Sequence, residues 1–316
     1  MTYEQRIEIY ALLKAGFNQT QIAQFIGVHK STLSREIKRN VGLKGYRPNQ
    51  ADQHALYRRK RAEKHIRFTE TIKQDVVQLL KQDWSPEQIS GYFKKNNKPT
   101  VSHETIYQFV INDQKSGGDL FKHLRLRRKK RRKRLKTNDR RGQIPNRISI
   151  DKRPDIVNNK ERTGDWETDT IIGKNHKGAL VTAVERKTKF TCIAHVPQKE
   201  AELVARALIK MMKPYKKWVH TITSDNGKEF SEHQKIAKEL DADFYFAHPY
   251  CSWERGLNEN TNGLIRQYFP KKTSLVDVNK EHVVEVQNKL NYRPRKLLDF
   301  QMPAHLFLNS PVALGT

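Results

Sequence analysis

Cysteine is nearly absent: 316 residues hold only Cys192 and Cys251, and no C-x-x-C pair. A zinc finger or zinc knuckle therefore has almost no support, and two thiols do not make a disulfide framework, which fits a reducing cytoplasm. Long apolar runs are missing too. None approaches the ~20 residues needed to span a bilayer. The opening MTYEQRIEIY has no apolar signal-peptide segment, so no membrane partner is expected. Acid is scarce: 34 Asp and Glu face 61 Lys and Arg, for a formal net charge of +27. So large a charge repels itself unless a polyanion neutralises it, which points to DNA or RNA. Hydrophobic residues still make up 36% of the chain, enough for cores, and the length suggests two or three domains.

The amino-terminal half reads as small helical modules. Residues 1–45 form the first, with three helices between residues 2 and 40. The first helix carries Ile7, Tyr10, Leu12 and Leu13 near helical spacing and ends at Gly16. In QTQIAQFIGVHKSTLSREIKRN, Ile22, Ala23 and Ile26 make an apolar stripe, Gly27 permits a tight turn, and Leu33 and Ile37 face inward. That leaves Lys30, Ser31, Thr32, Ser34, Arg35, Lys38 and Arg39 outward, the pattern of a helix-turn-helix with a basic, hydroxyl-rich recognition helix. Short hydroxyls reach bases or phosphates, and Arg can grip guanine at two atoms. An ordinary three-helix bundle is the plainer alternative.

Residues 46–115 repeat the pattern more loosely. Ile72, Val76, Leu79 and Leu80 mark a helix; Ser85-Pro86-Glu87-Gln88 starts a second that carries Ile89 and Phe93. Ser102-His103-Glu104-Thr105 opens a third, with Ile106, Phe109 and Val110 inward. Ser102, His103 and Thr105 are its candidate DNA contacts, although its weaker positive charge leaves a protein-contact role open. Residues 116–150 are a basic linker: from Arg125 to Arg141, 12 of 17 residues are Lys or Arg. Charge that dense is a solvated linker or a phosphate-binding arm, with Arg127, Arg128, Lys129, Lys130, Arg131 and Arg132 at its centre.

Residues 151–316 change character. GDWETDTIIG, GALVTAVER and FTCIAHV are short, β-branched, alternating runs and read as three strands. A helix, the strand VHTIT, a helix, the strand DADFYFAHPY and a last helix follow. The order βββαβαβα is that of a ribonuclease-H-like core, a mixed sheet with helices on its faces. The fold class expected is therefore α+β multidomain, with an all-α helix-turn-helix region before an α/β core.

Three acids stand out in that frame. Asp169 lies in the first strand, Asp225 just beyond the fourth, and Glu259 near the start of the last helix, with 33 residues between the latter two. The first and fourth strands of such a sheet are neighbours, so their acids can converge. Two hard divalent cations held about 4 Å apart by carboxylates can activate an attacking oxygen and stabilise a leaving one at phosphorus. Asp165 is a rival for Asp169 and Glu254 for Glu259, and Asp225 before Asn226-Gly227 has turn chemistry as well. Glu167 shares the facing of Asp169 and is expected to support it, as is Asn226 beside Asp225. Asn262 and Arg266 follow Glu259 on its helix, Arg266 two turns on; an amide and a cation there suit metal plus phosphate.

GDWETDTIIG, TSDNGKEF and PYCSWERGLNENTNGLIRQYFPK, with REIKRN, SHETIYQFV and LNYRPRKLLDFQMP, resemble the bacterial insertion-sequence-thirty transposases, within the DDE transposase and retroviral integrase superfamily. The resemblance covers nearly the whole chain. Thr168 stands where Gly is usual and Cys251 where Ser is usual. The resemblance implies the fold, dependence on two Mg²⁺ or Mn²⁺ ions, and Asp169, Asp225 and Glu259 as catalytic and metal-holding acids. It also implies recognition of terminal inverted repeats by the helix-turn-helix region. The reaction expected is cleavage of one strand by water, then attack of the freed 3′-hydroxyl on another phosphodiester. Lys228 and Lys272 are further candidate phosphate contacts. Partners would be double-stranded DNA (ends and target) and at least one more copy of the chain; the location would be the cytoplasm, on the nucleoid. A non-catalytic repressor, a plain nuclease of the same fold and a DNA-compacting protein are the other readings.

Overall fold

The computed structural model describes residues 1–61, 68–125, 144–249 and 251–310. The chain divides into two compact units, Met1–Ile66 and Arg67–Thr316. In the first, α1 (Tyr3–Lys14), α2 (Gln19–Phe25) and α3 (Lys30–Asn40) are followed by a short hairpin, β1 (Val41–Gly42) with β2 (Gly45–Tyr46), and by α4 (Pro48–Arg61). Side chains satisfy the free amides at the helix starts: Thr2 with Gln5 on α1 and Asn18 with Gln21 on α2 are reciprocal caps, and His29 caps α3. Gly27 turns the chain between α2 and α3 with φ +70°, a conformation that other residues rarely adopt.

The core of this unit is Ile9, Ile22, Ala23, Leu33, Tyr46 and Ala51. Ile7, expected inward, is exposed, and Ile9 is buried in its place. The inward stripe of α1 runs Arg6, Ile9, Leu13, and Ile7 lies about 200° around the helix from Ile9. Arg6 is buried at one end of that stripe, paired with Glu36 of α3 at 2.8 Å and Asp52 of α4 at 2.7 Å, which ties three helices together. This unit therefore extends past residue 45 and includes α4.

The second unit begins with α5 (Glu70–Lys81), α6 (Pro86–Lys95) and α7 (His103–Lys115), capped by Thr69, by Ser85 with Gln88, and by Ser102. Ile72, Val76, Leu80, Ile89, Phe93, Ile106 and Val110 make its core, with Trp84 and Leu120. After α8 (Asp155–Asn158) come β3 (Asp165–Ile172), β4 (Ala179–Glu185), β5 (Thr191–Val196), α9 (Ala201–Met212), β6 (Thr221–Ser224), α10 (His233–Leu240), β7 (Asp243–Phe246) and α11 (Gly256–Ile265). The sheet order is β5-β4-β3-β6-β7. β3, β4 and β5 form an antiparallel meander, while β6 pairs parallel to both β3 and β7. This is the expected ribonuclease-H-like order.

Beyond α11 the chain adds α12 (Lys280–Asn291) and α13 (Pro303–Leu308). They help cover opposite faces of the sheet. α9, α10 and α13 pack on one face through Val204, Leu208, Ile236 and Phe307; α11 and α12 pack on the other through Leu264, Ile265, Val286 and Leu290. Alternation sorts β3 between these faces: Trp166 belongs to the first core and Ile171 to the second.

The helical module is fastened to this core. The Asp83 carboxylate is bonded by His123, Tyr268 and Lys289 at 3.2, 3.3 and 3.0 Å, and its carbonyl accepts from Arg293. Gln88 donates to the Pro294 carbonyl, and a Cβ on Gly91 would fall 2.2 Å from the Phe300 ring. One face of α6 is thus committed to the carboxy-terminal segment. No helix among the described residues is long and apolar enough to cross a membrane.

Candidate active site

The β3–β6 ladder pairs Asp165 with Thr221 and Glu167 with Thr223. Two residues further along, the same register brings Asp169 level with Asp225, just past the end of β6. A single guanidinium, that of Arg255, reaches both: Nη1 is 3.7 Å from Asp169 Oδ1 and Nη2 is 3.5 Å from Asp225 Oδ2. Asp225 is oriented by the Gly227 amide, which donates to its Oδ1 at 3.1 Å, so the turn chemistry and the placement of the acid coincide. Asn262 of α11 donates to Asp169 Oδ2 at 2.8 Å and accepts from Thr182 of β4, which ties helix, acid and sheet together.

Asp169, Arg255, Glu259, Asn262, Arg266 and Lys271 line one open cleft of about 480 Å³. Glu259 stands in the first turn of α11, as its position in the sequence suggested. The rival acids are occupied elsewhere. Asp165 is buried and held by Arg162 and Thr221; Glu254 accepts from the amide of His248 and faces its ring nitrogen. Glu167 is buried between Arg186 and the Asn258 amide and so fixes the start of α11 against β3. Asn226 accepts from Arg147 and donates to the Ala247 carbonyl, which secures the turn after β6. Arg266 spends one donor on the Ile172 carbonyl at the end of β3. Lys271 lines the cleft, whereas Lys272 does not.

Sequence reasoning missed Arg255, Glu229 and Lys199. Glu229 is buried, accepts from Thr170 at 2.9 Å and pairs with Lys199 at 2.7 Å. Burial pushes the Asp169 carboxyl from 3.8 up to about 6; Asp225 and Glu229 push the same way, against Arg255 and the Thr170 amide. A carboxyl with a raised native pKa holds its proton more tightly folded than unfolded. The metal-free fold should therefore lose stability as pH rises from about 4 to about 6, by up to about 3 kcal/mol from this group. The difference in urea midpoint between wild type and Asp169→Asn, measured from pH 4 to 7, should grow across that window; a constant difference would refute the assignment.

The donors are all oxygen, as hard divalent cations prefer, and two carboxylates already share one cation. Among the described residues, no three His, Cys, Asp or Glu side chains are gathered to hold a metal ion in this conformation.

Comparison with known proteins bears on what such a cleft does. Residues 1–40 match a helix-turn-helix domain family and residues 159–252 the integrase core domain family. The chain is 45% identical to the transposase for insertion sequence element IS4351 of Bacteroides fragilis, over 97% of this chain and 95% of that one. It is 32% identical to transposase InsI for insertion sequence element IS30A of Escherichia coli K12, over 97% and 82%. It is 33% identical to the transposase for insertion sequence element IS1086 of Cupriavidus metallidurans, over 95% and 91%. The chain belongs to the IS30 family of transposases.

The transposase is accordingly a DDE-type polynucleotidyl transferase, and its integrase core implies a divalent metal. In its helix-turn-helix, Lys30, Thr32, Ser34, Arg35, Lys38 and Arg39 are exposed along α3. Ser31 is half-buried and bonds the His29 ring, so it serves the cap. Ser102 and Thr105 bond each other at the start of α7, while His103 is exposed and stands edge-on to Tyr107. Arg127, Arg128, Lys129, Lys130, Arg131 and Arg132 lie outside the described residues.

Proposed function

We propose that this transposase binds the terminal inverted repeats of an insertion sequence and cuts and joins DNA strands with Asp169, Asp225 and Glu259. The observation that carries the assignment is the Asp169–Asp225 carboxylate pair bridged by Arg255, with Asp169, Arg255 and Glu259 lining one cleft. Two Mg²⁺ (or Mn²⁺) ions held by these acids would supply activation of the attacking oxygen and neutralisation of charge at the scissile phosphate. The chain's own part is placement. Asn262 and the Gly227 amide fix the two aspartates, and the lining cations Arg266 and Lys271 draw the phosphodiester in. The freed 3′-hydroxyl then attacks a second phosphodiester, so no covalent protein–DNA link is needed. Two ends must be held together for this, which calls for at least a dimer. The run Arg127–Arg132 is assigned to phosphate tracking.

The experiment is strand joining: purified protein, Mg²⁺, a labelled element end and a plasmid target, beside Glu259→Gln. Joined product from wild type, with end binding but no product from the variant, supports the reading. Absence of cutting and joining by wild type on a correctly bound end, with either metal, sinks it.

End recognition has its own test on α3. Arg35→Ala should weaken binding to a cognate end about 10- to 100-fold and narrow its margin over random DNA, as loss of a base contact does. Lys38→Ala should weaken both DNAs alike and make the slope of log K against log salt shallower by about one. Fluorescence anisotropy at several salt concentrations separates the two; equal loss on both DNAs for Arg35→Ala would refute its reading role.

A further inference from the structure

We infer that Arg255 is the resident counter-cation of the acid pair: in the free protein it occupies the position between Asp169 and Asp225, and it must give way when a divalent ion is taken up. This rests on the assignment of those acids proposed above. Its side chain is 11% exposed, with one guanidinium nitrogen toward each carboxylate. Both separations, 3.7 and 3.5 Å, exceed the 2.7–2.9 Å typical of committed charge-assisted hydrogen bonds. Its other bond among the described residues, to the Thr168 carbonyl, is long at 3.4 Å. Its Nε is buried with no partner among the described residues. A buried donor left unmet is a standing cost of this placement, and the attraction of two acids offsets it.

Arg186 shows the contrast within the same sheet. It holds Glu167 in a close buried pair and also donates to the Val157 carbonyl, as a structural arginine does. Arg255 has no comparable anchor among the described residues. It closes the single turn Ser252–Arg255 immediately before Gly256 opens α11, so its side chain can swing without moving the helix that carries Glu259 and Asn262. The cleft it already lines also contains Arg266 and Lys271. A displaced guanidinium therefore remains where a phosphodiester would arrive, and a planar fork suits phosphate oxygens.

The competition is electrostatic, so it is read in metal affinity without DNA. Mn²⁺ is titrated calorimetrically into full-length, metal-free wild type, Arg255→Gln, Arg255→Lys and Asp169→Asn, and each protein is melted with and without Mn²⁺. Removing a unit charge about 4 Å from both acids should tighten Mn²⁺ binding at least about tenfold in Arg255→Gln. Its metal-free melting temperature should fall, and Mn²⁺ should raise it by more than in wild type. Arg255→Lys keeps the charge and should stay within about threefold of wild type. A folded Arg255→Gln that binds Mn²⁺ no better than wild type overturns the inference. Wild-type binding that does not weaken in Asp169→Asn overturns the site assignment itself, and the inference with it. Should Arg255→Gln not fold, the Arg255 Nε–H resonance of wild type decides. Loss of its exchange protection on adding Mg²⁺ supports displacement, and unchanged protection refutes it.

Discussion

Asp169→Asn and Asp225→Asn are each expected to lower strand joining by at least about a thousandfold, equivalent to about 4 kcal/mol of barrier, with binding of an element end unchanged within about threefold. The side chains are nearly isosteric, so the local structure survives. An amide oxygen at position 169 can still accept from Asn262, and one at 225 can still accept from the Gly227 amide. What is lost is charge at the two positions where the sheet brings acids together. Asp169→Asn should also stabilise the metal-free protein near neutral pH, because the native site holds that carboxyl above its ordinary pKa and yet it is largely ionised there. Loss of activity with gain of stability is the signature of a charge cluster kept for chemistry. Quantifying joined product beside a thermal melt checks both. An Asp169→Asn protein that joins at a tenth of the wild-type rate, or that melts lower than wild type, would remove Asp169 from the proposed role.

Much of this candidate site is legible in the sequence, for identifiable physical reasons. Period-two alternation in GDWETDTIIG places Asp165, Glu167, Asp169 and Ile171 on one face, and the structure puts Ile171 against α11 and α12 as that facing requires. Alternation cannot rank acids that share a face, so Asp165 stayed a rival. Its exclusion depends on Arg162 and Thr221, the latter brought alongside only by parallel pairing with β6. Arg255 was invisible for a related reason. Nothing in WERG marks a side chain that reaches residues 86 and 30 positions earlier, on two different strands. The same long range hides the fastening of α6, whose partners Pro294 and Phe300 lie some 200 residues downstream. In α12, by contrast, Val283, Val286 and Leu290 keep a helical period that was there to read. The order βββαβαβα is complete without it, so the period alone gives that helix no place against the sheet.

Trp166→Ala should be the most destabilising single change in the second unit, about 3–5 kcal/mol as for other large core truncations. Trp166 is fully buried on the central strand, one residue from Glu167 and three from Asp169, on the face opposite the acids. Its ring meets Phe190 and Phe307 edge-on, at centroid distances of 6.5 and 5.5 Å, and Phe307 in turn stacks on Phe190 at 4.4 Å. Its indole N–H donates to the Trp218 carbonyl at 2.7 Å, so truncation leaves a cavity and also an acceptor to be satisfied again. The consequence reaches the active site through the strand itself. The pairing that sets Asp169 level with Asp225 holds only while β3 stays seated between β4 and β6. Arg35 and Lys38 lie in the other compact unit, which has its own core. Trp166→Ala should therefore lose joining activity at temperatures where the first unit still melts and binds DNA as in wild type. Calorimetry with DNA-binding assays across temperature separates the two, and a loss below about 1 kcal/mol would mean that the aromatic cluster does not hold the sheet.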